Sequence, residues 1–294
     1  MDSLRIRTLD ECTLDQWRSL DGRAPADETH RRHVDDLLER RDELDERTFL
    51  IAFDGDRVVG RLVGRFLDLI TWSIVELTTL EPVAPEIDAA LVGSLNESFN
   101  TERVRIIVSD RERDRRKRTA LEGAGFSIAL SKSLFRRDLA DYRTPYTDPM
   151  RYPTLEEVPR ERFETVLEAA HIGDPLEESA VDERSALEAY ISLAGPAFEA
   201  RRWRLAELDG VAVGVVLPQI YPDMPTLGTL FHIGILPEFR GRGLGRILHA
   251  KGLELLADEV GTYVGSTHVA NAPMIRVFER NGCQRTTTQH MYAP

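Results

Sequence analysis

The stretch LPEFRGRGLGRILHAKGLELL, residues 236–256, places a turn rich in glycine and arginine between two patterned segments. The run before it, TLFHIGIL (229–236), is apolar and predicts a strand, and the residues after the turn have the spacing of an amphipathic helix. Glycine lets the backbone approach a ligand closely, and the first turn of a helix exposes unpaired N–H groups. Arginine adds forked cationic donors. The turn therefore predicts a binding site for a phosphate-type anion.

The residues of this turn do not match two known phosphate-binding loop motifs. A dinucleotide fingerprint that starts at Gly241 and Gly243 requires a third glycine where the chain has Arg246. The turn also lacks the Gly-Lys-Ser/Thr ending of a P-loop. An RNA-binding segment rich in Arg-Gly-Gly would have low complexity, whereas this turn lies between patterned segments. An ordinary strand-to-helix turn stays open as the alternative.

Length and composition favour a protein of two domains. The chain has 294 residues, a hydrophobic fraction of 42% and a net charge of −12. This acidity argues against a nucleic-acid binder. The two cysteines, Cys12 and Cys283, lie far apart and indicate neither a disulfide framework nor a thiolate metal site. The first residues lack the apolar core of a signal peptide and no apolar run approaches membrane-spanning length, so we expect a soluble cytoplasmic protein.

A weak internal repeat supports a duplicated domain. IAFDGDRVVG (51–60) resembles LAELDGVAVG (205–214), and each has an Asp-Gly pair between apolar runs, the pattern of a β-hairpin. LEGAGF (121–126) resembles FERNGC (278–283) at nearly the same offset. The boundary is expected near DYRTPYTDPMRYP (141–153), which is rich in proline and polar residues.

The pattern of elements in each half predicts a mixed α/β fold. We expect two tandem domains, 1–145 and 146–294, each with a mixed central β-sheet and helices on both faces. In the second half, the early helices are predicted at about 159–170 and 178–193.

Two segments of the second half resemble motifs of the GNAT superfamily of N-acyltransferases. ILPEFRGRGLGRIL (235–248) resembles its acyl-CoA-binding motif, Arg/Gln-x-x-Gly-x-Gly/Ala, through Arg240, Gly243 and Gly245. VANAPMIRVFERNGC (269–283) resembles the family's Asn-x-x-Ala-x-x-x-Tyr-x-x-x-Gly-Phe region. With the hairpin, these segments cover most of residues 150–294.

The resemblance implies an acetyl-CoA-dependent N-acetyltransferase whose acceptor amine attacks the thioester directly. Backbone N–H groups from 241 to 246 would hold the pyrophosphate, and pantetheine would lie between strands 229–236 and 261–268, which would splay apart. Backbone amides near Ile235 would polarise the thioester carbonyl. The residues implied to bind the cofactor are Ile233, Ile235, Arg240, Gly241, Arg242, Gly243, Leu244, Gly245, Arg246, Asn271 and Phe278.

Three positions depart from the family pattern. Phe278 stands where the family often has a tyrosine as general acid, and Thr229 and Ser266 stand where a carboxylate base is often found. Another group is therefore expected to move protons. His232 has an intrinsic pKa suited to a base, and Tyr292 could supply the missing hydroxyl. A packed strand histidine and an ordinary strand aromatic stay open as alternatives.

The resemblance places acceptor recognition between the two early helices of the second half. His171, Asp174 and Glu178 lie there and are candidates to bind the substrate, although a solvated acidic helix start explains the carboxylates equally. The acceptor is expected to be a primary amine of a small molecule or a peptide. No metal, nucleic acid or membrane partner is expected, and the protein is expected to be a monomer or a homodimer.

The first half does not keep the cofactor motif. Aligning Pro82 with Pro237 puts Asp88 where Gly243 stands, and a carboxylate there would repel a pyrophosphate. The first half is therefore interpreted as a degenerate GNAT-like domain without CoA. The alternative function for the whole chain is a CoA-binding regulatory or scaffold protein with little catalytic activity.

Two charged stretches of the first half favour structural interpretations. RERDRRKR (111–118) is interrupted by acidic residues, which favours a solvated loop and helix start over a nucleic-acid patch. HRRH (30–33) places two histidines on one face of a predicted charged helix over 28–47, without an evident third metal ligand.

Overall fold

A computed structural model describes residues 4–18, 20, 28–67, 71–80, 85–99, 105–173, 185–222 and 224–294. Its contacts divide the chain into two units, Met1–Ser131 with Thr288–Pro294, and Lys132–Thr287. This division lies upstream of the predicted boundary at 145/146. The proline-rich stretch is not a free linker, because Tyr142 and Met150 are buried in the core of the second unit and Arg151 forms a β-bridge with Glu207.

The first unit is built on an antiparallel sheet that is extended by a parallel strand. Strands β1 to β4 are antiparallel neighbours in chain order, β5 is parallel to β4, and residues Gln289–Tyr292 of β11 pair with β5. Its strands are β1 (Leu4–Thr8), β2 (Phe49–Asp54), β3 (Arg57–Phe66), β4 (Thr71–Thr79) and β5 (Arg105–Ser109). Its helices are α1 (Leu14–Arg18), α2 (Glu28–Glu39), α3 (Arg41–Leu44), α4 (Pro85–Phe99) and α5 (Arg115–Gly123).

The second unit has the sheet order β7-β8-β9-β10-β6. Residues Lys132–Asp138 of β6 belong to this unit and pair antiparallel with β10. Its strands are β6 (Ser127–Asp138), β7 (Arg204–Leu208), β8 (Val211–Tyr221), β9 (Met224–Ile235), β10 (Thr262–His268) and the start of β11 (Gln284–Ala293). Its helices are α6 (Arg160–His171), α7 (Ala186–Ala194), α8 (Leu244–Ala257) and α9 (Ala272–Arg280).

Both faces of each sheet carry helices, as predicted. Successive residues of a strand point to opposite faces. In the first unit, Leu50 packs in the cluster of α4 and α5, whereas Ile51 packs in the cluster of α1 and α2. In the second unit, Leu205 packs with α6 and α7, whereas Ala206 packs with α8. The mixed α/β fold is confirmed.

The landmarks of the internal repeat occupy equivalent places in the two units. Two-residue turns join β2 to β3 and β7 to β8, which confirms both predicted hairpins. The second turn has positive φ angles at Asp209 (51°) and Gly210 (81°), the conformation that Asp-Gly pairs favour. Gly125 and Gly282 follow the ends of α5 and α9 with φ angles of 87° and 71°, where glycine avoids strain.

Several helix boundaries differ from the predictions. The predicted helix over 28–47 is two helices, α2 and α3, because Arg40 leaves the helical conformation. Helix α7 begins at Ala186, and residues 174–184 lie outside the described part of the chain. In the basic stretch 111–118, Arg115 and Lys117 form ion pairs with acidic neighbours. Within the described residues, no helix is both long and apolar enough to cross a bilayer.

Tyr292 should act as a packing residue of the first unit. It is 1% exposed in the core with Trp72 and Ile106, and its hydroxyl lies 3.4 Å from the Glu122 carboxylate. Tyr292→Ala should destabilise this unit by about 3 kcal/mol, because it removes a buried ring. Tyr292→Phe should cost about 1 kcal/mol or less. Urea unfolding checks both values, and equal midpoints for Tyr292→Ala and the wild type would contradict the assignment.

Candidate functional site

The site begins where β9 and β10 stop pairing. Over residues 224–235 and 262–268, the structure pairs these parallel strands at only two positions, Thr262 with Leu227 and Tyr263 with Gly228. Both strands then continue, β9 to Ile235 and β10 to His268. The predicted separation of the strands is confirmed. Backbone groups on the facing edges are left for a ligand or water, because polar backbone groups need partners.

A β-bulge shapes the wall of this opening. Val216 pairs with Ile233 and Pro218 pairs with Leu230, so Leu217 opposes two residues of β9. Proline lacks an N–H, which suits it to a break in the ladder. A bulge re-aims the side chains beside it. His232 is one of the two residues opposite Leu217, and its side chain lines the cavity.

Gly234 allows close packing at the same place. A Cβ atom there would lie 2.8 Å from the Ala170 Cβ and 2.9 Å from the His232 Nε2. Both distances are shorter than real contacts, so only glycine lets the end of α6 and the imidazole approach β9 this closely.

The glycine-arginine loop enters α8 without a side-chain cap. Gly241 and Gly243 have φ angles of 78° and 81°, and a Cβ atom at either position would meet nothing within 4 Å. Gly243 is the N-cap of α8 and offers no side-chain acceptor to the first turn. Leu244 is buried and fixes the start of the helix in the core. The first-turn amides therefore lie beside open space, the geometry that binds an anion.

The three arginines of the loop have different surroundings. Arg240 donates through Nε to the Ile235 carbonyl (2.8 Å) and through Nη2 to the Ala170 carbonyl (3.2 Å), so it ties the loop to β9 and α6. Arg242 donates to the Glu238 carbonyl and does not line the cavity. Arg246 lines the cavity, and its buried Nε has no hydrogen-bond partner among the described residues.

The cavity has a volume of about 600 Å³ and lies between the loop, the end of β9 and one side of α9. Most residues that the family resemblance assigned to the cofactor line it: Ile233, Ile235, Arg240, Gly241, Gly243, Leu244, Gly245, Arg246 and Asn271. Asn271 also caps α9, because its side-chain oxygen accepts from the Met274 amide at 3.2 Å.

Phe278 is not part of the cavity wall. Its ring is 2% exposed and stacks on Phe135 with centroids 4.4 Å apart. Without the hydroxyl of the family tyrosine, the ring has no polar atom to direct toward a ligand, and it packs in the core. Phe278 therefore packs in the core and does not line the cavity, so its implied contact with the cofactor stays a prediction.

His232, which lines the cavity, stacks on His171. The rings of His171 and His232 are 3.9 Å apart. His171 lies 2.7 Å through Nδ1 from the Leu167 carbonyl, so Nδ1 donates, and Nε2 accepts from the Tyr190 hydroxyl at 3.2 Å. Both nitrogens of His171 are thus engaged within the protein, which does not support its predicted contact with the substrate. Asp174 and Glu178 lie outside the described residues.

His232 is held neutral. Burial lowers its pKa to about 3, and the neighbouring His171 adds to the shift. Its Nε2 is buried without a hydrogen-bond partner among the described residues. The ring is therefore neutral at any pH well above 3, has a free acceptor nitrogen but is a weaker base than an ordinary histidine, and does not titrate near neutral pH.

The other catalytic candidate, Tyr292, does not line the cavity and lies in the core of the first unit. Thr229 and Ser266, which stand where the family often has a carboxylate, are buried and exposed respectively, and neither lines the cavity. Cys283 does not line it either, and burial raises the pKa of its thiol to about 12. Among the residues that the structure describes, no group of potential ligands could hold a metal ion.

Among the cavity residues that sequence analysis missed, Arg276 and Arg280 are charged. Both are exposed on α9, and four residues separate them, so they share one face of the helix. The four-residue spacing within the second motif could have predicted that both arginines share one helix face. The family motif itself specifies neither position.

The first unit carries a different set of groups at the start of its corresponding helix. Asp88, in the first turn of α4, is buried and accepts from Arg116 at 2.6 Å and 2.9 Å. Thr79 also donates to it at 3.2 Å. Near the bulge of β4, Glu76 forms a buried ion pair with Arg61 at 2.9 Å.

The diverging strands, the uncapped loop and the motif residues agree with the acyl-CoA-binding site that the GNAT resemblance implies. Residues 164–283, in the second unit, match the model of the acetyltransferase (GNAT) family.

The curated relatives support the same family. A mycothiol acetyltransferase of Cellulomonas flavigena is 31% identical over 108 residues, which cover 34% of this chain and 31% of that protein. A mycothiol acetyltransferase of Thermobispora bispora is 31% identical over 191 residues, which cover 58% of this chain and 59% of that protein. The chain thus spans about a third of the first relative and 59% of the second.

Solved structures show the same fold over the whole chain. A GCN5-related N-acetyltransferase from Sphaerobacter thermophilus has a TM-score of 0.61 at 15% identity and covers 100% of this chain and 96% of its own. A tandem GNAT protein from the clavulanic acid biosynthesis pathway has a TM-score of 0.51 at 19% identity, covering 99% and 98%. The tandem arrangement is therefore shared with a known structure.

Gly243 offers a direct test of the loop as an anion site. Asparagine and aspartate both tolerate a positive φ angle and have nearly the same size, so they differ mainly in charge. Gly243→Asp should bind CoA about 100-fold more weakly than Gly243→Asn, because its carboxylate faces the bound phosphates. Calorimetry on both folded variants measures the ratio. Equal affinities would show that the loop is only a turn.

Proposed function

We propose that the second unit transfers an acetyl group from acetyl-CoA to a primary amine of a small molecule or a peptide. The observation that carries this proposal is the uncapped glycine loop that opens beside two diverging strands. The family match and the relatives named as acetyltransferases support it.

The residues present fit acetyl-CoA. Gly241 and Gly243 leave open space before the first-turn amides, and Arg246 keeps a buried Nε without a partner among the described residues. The pyrophosphate of CoA supplies acceptors for the amides, and CoA carries a further phosphate that can accept from a guanidinium group. When bound, acetyl-CoA supplies an acetyl thioester, which an uncharged amine can attack directly.

The chain has three tasks in this reaction. Amides from 241 to 246 bind the phosphates, and the unpaired edge of β9 near Ile235 orients the acyl group. His232 accepts the proton that the amine nitrogen loses. Phe278 has no proton to donate, so thiolate departure proceeds without help from that position, which is tolerable because thiolate is a good leaving group.

The acceptor is proposed to be a small, uncharged amine in its reactive form. Beside α6, the cavity is lined by the neutral residues Ala170, His232 and Gly234, and the Arg240 guanidinium there is engaged by the Ala170 and Ile235 carbonyls. The relatives named mycothiol acetyltransferase favour a small-molecule acceptor over a peptide.

The first unit is proposed to bind no CoA. In α4, the Asp88 carboxylate occupies the first turn and is already paired with Arg116. A second negative group there would face like charge. One acetyl-CoA site per chain follows from this difference between the two units.

The alternative is a CoA-binding regulatory protein with little catalysis. The buried state of His232 and the loss of the tyrosine at Phe278 favour it. The two functions are distinguished by measuring free CoA release from acetyl-CoA with a panel of amines, including the acceptor of the mycothiol acetyltransferases. Amine-dependent release with acetylated product supports transfer. CoA binding without release by any amine would contradict it.

His232→Gln should lower kcat by about tenfold or more and leave CoA affinity unchanged, because a base acts on the proton of the amine. His249→Gln is the matched control: burial also lowers the pKa of His249 to about 3, but its ring does not line the cavity. Its kcat per folded molecule should be unchanged.

The pH profile gives a second readout for His232. Because its pKa is about 3, the ring stays neutral from mildly acidic pH upward, and the wild-type rate should rise only with deprotonation of the amine. His232→Gln should lower the rate by the same factor at every pH, without shifting the pH profile. An acid limb near pH 6.5 that disappears in the variant would contradict the lowered pKa, and an unchanged kcat would remove His232 from the reaction.

A further inference from the structure

Every charged side chain among the described residues that line the cavity is positively charged. Its charged side chains, among the residues that the structure describes, are Arg240, Arg246, Arg276 and Arg280, and none of the described lining residues is a carboxylate. This is unusual for a chain of net charge −12. A cavity lined by cations with no compensating acid attracts a ligand with several negative charges.

Arg240 is less available to a ligand than the other three arginines. Arg240 donates to the Ile235 and Ala170 carbonyls, which hold it against the strand and helix. Arg276 and Arg280 differ, because no hydrogen bond or ion pair joins their guanidinium groups to other described residues. They lie one turn apart on α9, about 6 Å along the axis, on the side that lines the cavity.

Tyr146 brings the third arginine to the same end of the cavity. The Arg246 guanidinium lies over the Tyr146 ring at 4.4 Å, and the Tyr146 hydroxyl donates to the Arg280 carbonyl at 3.2 Å. The Asn281 side chain also donates to the Arg246 carbonyl at 3.0 Å. The start of α8 therefore adjoins the end of α9.

The end of the cavity beside α6 differs. Ala170, Gly234 and the uncharged ring of His232 line it, and the guanidinium group there, that of Arg240, is already hydrogen-bonded to the Ala170 and Ile235 carbonyls. The guanidinium groups without such partners among the described residues therefore lie toward α9, which suits a ligand whose phosphates lie at one end.

We propose that Arg246, Arg276 and Arg280 form a second anion site, distinct from the amides of the glycine loop, that binds the phosphate monoester on the ribose of CoA. This inference rests on the proposed binding of acetyl-CoA. CoA carries a pyrophosphate and a separate 3′-phosphate, so the loop amides account for only part of its charge. A monoester dianion has three terminal oxygens, which suit guanidinium donors from two helices.

The test compares CoA with 3′-dephospho-CoA, which differ only in this phosphate. Calorimetry on the full-length protein measures both affinities for the wild type, Arg276→Ala, Arg280→Ala and the double variant. Arg201→Ala is the control for loss of one charge, because Arg201 is exposed in the same unit and outside the cavity. The altered residues are exposed, so the variants should keep the fold.

The wild type should bind CoA about tenfold or more tightly than 3′-dephospho-CoA. Each single variant should weaken CoA binding. The double variant, which keeps Arg246, should lose most of the preference for CoA, with affinity for 3′-dephospho-CoA unchanged throughout. Arg201→Ala should keep the wild-type ratio.

Equal wild-type affinities, or equal losses for both ligands in the variants, would overturn the second anion site while the proposed function stands. Binding of neither ligand by the wild type would overturn the proposed function itself.

Discussion

The candidate site depends on one constraint: β9 and β10 hold parallel register at only two residue pairs and then separate. A sheet rarely leaves strand edges unpaired in its interior, because each buried N–H or C=O without a partner costs free energy. The bulge at Phe231 and His232 and the small residue at Gly234 adapt β9 to this opening. The loop after Ile235 then directs the amides of α8 toward it. In this account, a ligand lies in the gap and provides the missing partners.

The anion loop was the most predictable part of the molecule. Gly241 and Gly243 have the positive φ angles and open space that their residue type suggests, and the strand and helix on either side follow from hydrophobic spacing. The hairpins were equally predictable from the sequence, since Asp-Gly pairs between apolar runs specify a local turn. These predictions succeeded because neighbouring residues in the chain determine the conformation, and distant contacts contribute little.

Side-chain partners from distant parts of the chain were not predictable. Arg240 looked like a phosphate ligand, yet the carbonyl of Ala170, seventy residues away, engages it. His171 looked free, yet Leu167 and Tyr190 occupy both of its nitrogens. The motif residues determine the backbone conformation of the loop. The hydrogen-bond partners of its side chains depend instead on which helices pack on which face of the sheet. The same packing decides that the last strand completes the sheet of the first unit, so a terminal aromatic that looked catalytic belongs to another core.

Hydrogen exchange at single-amide resolution tests the central claim most directly, because it reports on the backbone groups that are said to bind the phosphates. With saturating CoA, amides from 241 to 246 should exchange more slowly, whereas those in the first turn of α4, beside Asp88, should not change. Unchanged exchange in the loop of the second unit, or equal protection at the start of α4, would contradict a single CoA site at the diverging strands.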